Sequence, residues 1–155
     1  MAQEPEHGIE SLLDHYSANR ADIYEPNEKD RTVERIARSI CDDHGVDFDS
    51  LNTECRVMDS IAVGFGSLFH DPLGRLSTHK QNSEEHILLV RSDMFQDEDL
   101  LYGVVAHELA HAVQHHEWGG MEEDDPAFVF LCKLFGGFHG CDEVQEHAER
   151  FGITV

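Results

Sequence analysis

Residues 97–120 read DEDLLYGVVAHELAHAVQHHEWGG, and the spacing within this stretch decides the fold. Leu100, Val104, His107, His111 and His115 form one stripe at helical spacing, and Leu101, Val105, Leu109 and Ala112 form another. Two occupied faces predict a helix buried on both sides, a rigid element on which a site can be built. Asp97 or Asp99 can cap its start, and Glu98 and Asp99 suit the positive end of the helix dipole. Gly119 and Gly120 end it.

Inside this helix, His107-Glu108-Leu109-Ala110-His111 is an HExxH motif. Histidines at i and i+4 project from one face a turn apart, close enough to share a tetrahedral zinc ion. Glu108 projects to the side, where it can take a proton from a water that zinc has acidified and pass it to a leaving amine. Two imidazoles and a carboxylate side by side are costly in a core that makes no use of them. His115 lies eight residues beyond His107, about 12 Å along the axis, and cannot join the same ion. His115 and His116 therefore read as rim residues. His7, His15, His44, His70, His79, His86 and His147 read as histidines scattered through a His-rich chain.

Working outward, Asp30 can cap an earlier helix on which Val33, Ile36, Ala37 and Ile40 repeat, ending near His44 and Gly45. Residues 55–58, 61–69 and 86–90 read as strands, with a turn at 70–74 and a potential return strand at 75–78. Gly64, Phe65 and Gly66 mark either an edge strand that an extended peptide can pair with or a bulge. Pro126 suits the first turn of a helix running through Phe130 and Leu134 to Gly136, and a last helix covers residues 142–151. Strands in a row between helices predict an α+β fold, a small three- to four-stranded sheet packed with the buried HExxH helix and flanking helices. Residues 1–28 are expected to be an acidic segment, partly helical through Ile9, Leu12, Leu13 and Tyr16 or mobile. Residues 29–155 are expected to form one domain.

Of the 155 residues, 32 are Asp or Glu and 11 are Lys or Arg, for a formal net charge of −21. Lys29, Lys80 and Lys133 are the only lysines. Acid spread along a whole chain costs self-repulsion, which molar salt screens by shrinking the Debye length to ~3 Å. The expected setting is a salt-rich cytoplasm, that of a halophilic archaeon or one of its viruses. No apolar run approaches the ~18–20 residues of a membrane span. Residues 1–6, MAQEPE, lack the start of a secretory signal. So few cations also argue against generic nucleic-acid binding. Cys41, Cys55, Cys132 and Cys141 are widely spaced with no CxxC pair, and read as reduced and mostly buried thiols. Cys132 and Cys141 with His139 match no standard zinc spacing.

The run His107-Glu-Leu-Ala-His111-Ala-Val-Gln, then His116-Glu-Trp-Gly, then Asp124-Asp125-Pro126-Ala127-Phe128 resembles the SprT-like zinc metalloprotease domain. In that family a His-Gly-Pro-x-Phe element follows the HExxH helix, and its histidine is the third ligand. Here Pro126 and Phe128 match and Asp124 stands in the place of that histidine. The resemblance is clearest over residues 98–135. It implies zinc held between two helices by His107, His111 and Asp124, Glu108 as general base, and hydrolysis of protein or peptide substrates. Some members digest proteins attached to DNA, so DNA association is implied by resemblance alone; the zinc ribbon some of them carry is not in this sequence. Asp125 reads as a helix N-cap beside Pro126, and Glu122 and Glu123 lie earlier in the loop. Two other readings stand beside this one: a non-catalytic binding module that keeps zinc for stability or uses the fold to bind a partner, and an HExxH site completed by a more distant carboxylate such as Glu143 or Glu146.

Overall fold

The computed structural model describes residues 27–58, 65–71, 85–120, 122–138 and 141–153. Their order is α1 (Glu28–Asp43), a 3-10 turn (Phe48–Leu51), β1 (Thr53–Met58), β2 (Gly66–Asp71), β3 (Glu85–Arg91), a second 3-10 turn (Ser92–Gln96), α2 (Glu98–Trp118), α3 (Pro126–Phe135) and α4 (Cys141–Glu149). The fold is α+β. The strand order is β1-β3-β2, with β3 parallel to β1 and antiparallel to β2. Ile87, Leu88, Leu89 and Val90 are fully buried, as expected of an apolar run in a central strand covered on both faces. Of the expected 61–69 strand, residues 66–69 fall in β2. Of the turn expected at 70–74, His70 and Asp71 instead extend β2, because they still pair with His86 and Glu85 of β3. Residues 61–64, 72–74, the 75–78 return strand and the apolar pattern of Ile9 to Tyr16 lie outside the described residues.

The start of α1 differs from expectation in one detail. Its N-cap is Asn27, and Asp30 is the third helical residue, reciprocating in a capping box. Asp30 Oδ2 accepts from Asn27 N (3.0 Å), while its Oδ1 accepts from Val57 N (2.8 Å) and ties the helix to β1. A longer-range bond has recruited the residue that sequence alone marks as a cap.

α2 is the axis of the molecule and packs on α1, α3, α4, β2 and β3. Every residue from 103 to 114 is buried, so both stripes are used. Asp97 caps it by accepting from Leu100 N (3.0 Å), and Gly119 ends it in the left-handed conformation at φ +85°. Asp125 caps α3 ahead of Pro126, and Gly136 closes that helix. The chain then runs so close to α2 that a Cβ at Gly137 would lie 2.7 Å from His107 N. Among the described residues, no helix is long and apolar enough to cross a membrane.

Candidate metal centre

His107 and His111 are buried on the face of α2 that meets α3 and the loop before it. The close approach at Gly137 presents the Phe138 carbonyl, which accepts from His107 Nδ1 at 2.5 Å. One helical turn on, Gln114 Oε1 accepts from His111 Nδ1 at 3.0 Å. With each Nδ1 acting as donor, each Nε2 is left as a lone-pair atom. Both face one carboxylate oxygen. Glu123 Oε2 lies 3.1 Å from His107 Nε2 and 3.6 Å from His111 Nε2. Phe128 of α3 stacks on His111 at 4.0 Å and meets the edge of His107 at 5.0 Å, which fixes both ring planes.

The ligand atoms of His107, His111 and Glu123 lie within 4.8 Å of one another, the only cluster of three or more metal-ligating side chains among the described residues. Two imidazoles and one carboxylate are a donor set of catalytic zinc sites, which keep a fourth position for water or substrate. The residues present fit a zinc ion.

The carboxylate at the pair is thus Glu123, one residue before the expected Asp124, which is exposed and outside the group. The loop geometry explains the shift. The Glu122 carbonyl is pinned twice, by Gln114 Nε2 (3.1 Å) and by Asp125 N (3.3 Å). Asp125 is held in turn as the N-cap, accepting from Ala127 N at 2.9 Å. Between these anchors the longer Glu123 side chain spans the gap to the histidines. Glu143 and Glu146 lie on the exposed face of α4 and do not join the group.

Glu108 is 8% exposed, and the start of β2 passes beside it. A Cβ at Gly66 would lie 3.5 Å from Glu108 Cγ and 2.6 Å from Val104 Cγ1. Burial pushes the Glu108 carboxyl up to about 7; the His107 charge opposes the rise and the Glu123 carboxylate adds to it. At His107, burial disfavours the charged ring, yet Cys132, the Glu108 charge and the Phe138 carbonyl outweigh it and hold the imidazole up at about 10. Burial lowers His111.

Of the residues read as bystanders, Cys132 is buried and its thiol donates to the same Phe138 carbonyl at 3.2 Å. His139 and the Cys141 side chain lie outside the described residues. His115, expected at the rim, is half-buried and meets His86 of β3, while His116 is exposed. Sequence reasoning missed Gln114 and the Phe138 carbonyl. The i+3 spacing of Gln114 from His111 is a usable signal, whereas a backbone acceptor leaves none. Compared with family models, curated proteins and solved structures, the chain matches none of them.

Proposed function

We propose that this protein is a zinc-dependent metallopeptidase, similar in its site to the SprT-like domain. The observation that carries the reading is the convergence of His107 Nε2, His111 Nε2 and Glu123 Oε2 beside the buried Glu108. His107, His111 and Glu123 would hold the ion. When bound, zinc brings the pKa of a water to about 7 and polarises a carbonyl. Glu108 accepts the proton of the attacking water and delivers it to the leaving amine, a role that suits a buried carboxyl whose affinity for a proton is raised by desolvation. The Phe138 carbonyl and Gln114 keep the two imidazoles in the ligand tautomer.

The substrate we infer is an extended protein or peptide segment. Among the described residues β2 pairs on one side only, with β3, and Gly66 lies against Glu108. An extended chain added to the other side of β2 would pass the general base. Association with DNA rests on the resemblance alone, and the net charge of −21 opposes it. The same charge supports a salt-rich cytoplasm as the working environment.

The deciding experiment compares wild type with Glu108→Gln on unfolded protein substrates at high salt. The variant should keep its zinc and lose about 10²–10⁴-fold in rate. Undiminished hydrolysis would remove Glu108 from the mechanism. Zinc retained by a wild type that cleaves nothing would reduce the site to a structural clamp.

A further inference from the structure

His115 continues the stripe of His107 and His111 by one more turn, about 6 Å beyond His111 along the axis. Its Nδ1 lies 3.1 Å from Nε2 of His86 in β3, and the rings meet edge to face with centroids 4.7 Å apart. His86 is buried in the central strand and His115 is half-buried near the end of α2. The antiparallel register sets His70 of β2 at the position opposite His86.

We propose that His86 and His115 form a second site for a divalent transition ion of the class that imidazole favours, such as Ni2+, Cu2+ or Zn2+. It is separate from the group at His107 and does not depend on the peptidase reading. Two imidazole nitrogens bound to one ion at about 2.0–2.1 Å stand about 2.9 Å apart at a right angle and about 3.3 Å apart at the tetrahedral angle. The observed 3.1 Å falls between these limits. The two rings come from different rigid elements, so little ordering remains to be done on binding. The partly exposed side of His115 lets water complete the coordination shell, and the chain's net charge of −21 favours a dication over an anion. An ion here would tie the C-terminal turn of α2 to the centre of the sheet.

The experiment titrates the untagged full chain with Ni2+ by calorimetry and follows melting at each stoichiometry. Wild type should bind two ions tightly, and His115→Ala and His107→Ala one each. An ion lost with His115→Ala but kept in His107→Ala belongs to this pair, whatever the fate of the first site. His115 is half-exposed near a helix end, so its variant keeps the fold and carries the decision. His86→Gln should weaken the same ion at least tenfold. Equal stoichiometry and affinity in wild type and His115→Ala would overturn the proposal and leave the contact a hydrogen bond between the two rings.

Discussion

Gln114 joins the two halves of the candidate metal centre, because one end of its amide orients His111 and the other holds the Glu122 carbonyl. It is fully buried, so Gln114→Leu would strand both partners and free the ring of His111. Zinc affinity, measured by chelator competition, should fall about 10–100-fold; unchanged affinity would mean the loop finds its place without this link. Glu123→Ala should weaken zinc binding strongly and Asp124→Ala slightly. The reverse order would restore the register expected from the sequence. Glu108 gives a pH signature in the metal-free protein. Its carboxyl is raised from an ordinary 4.5 to about 7 by burial, so the folded chain holds that proton more tightly than the unfolded one. The resulting stability is present in full below about 4.5 and is lost as pH rises through about 7. The stability of metal-free wild type relative to Glu108→Gln should therefore fall across that window in urea melts. A flat difference would place Glu108 in contact with water.

At the scale of elements, what was legible was what local chemistry writes. Both stripes of α2 are buried, its cap is Asp97, and Asp125 with Pro126 starts α3 as the residues require. The two histidines and Glu108 follow from helical spacing alone. The carboxylate of the candidate ligand group does not, since Glu122, Glu123, Asp124 and Asp125 are adjacent and local sequence does not rank them. A tertiary contact chooses, through Gln114 and the capped start of α3. The sheet order was equally hidden, because pairing β1 parallel to β3 with β2 outside is a non-local decision. The connection from α3 to α4 matters to the site through its backbone. A Cβ at Gly137 would meet His107 N at 2.7 Å and Ala106 C at 3.0 Å, both main-chain atoms of α2 that cannot step aside. Gly137→Ala should destabilise the fold by about 1–3 kcal/mol and lower zinc occupancy by displacing the Phe138 carbonyl. Wild-type melting and full occupancy in that variant would show that the connection has room to move.

For the molecule as a whole, charge sets the conditions under which this site is assembled. A formal charge of −21 is set against local ion pairs that are mostly exposed, such as Arg38 with Glu34 and Asp49 or Arg31 with Glu28. Exposed pairs of this kind contribute ~0–1 kcal/mol each and leave the general repulsion standing. The candidate metal centre adds to it locally, since Glu122, Glu123, Asp124 and Asp125 crowd the turn that must fold back onto α2. At about 0.1 M salt the Debye length is ~10 Å, so these carboxylates feel one another across the turn; at molar salt it is ~3 Å and they do not. The melting temperature of the zinc-loaded protein should therefore rise steeply between ~0.1 and ~3 M KCl, with chloride used because sulfate stabilises proteins by exclusion whatever their charge. Replacing the exposed Asp124 with Asn should raise stability at low salt and change little at high salt, because the benefit of removing one charge disappears when that charge is screened. Equal melting temperatures at both salt concentrations would mean that the acidic surface imposes no repulsive cost on the fold, and the salt-rich setting inferred from composition would lose its physical basis.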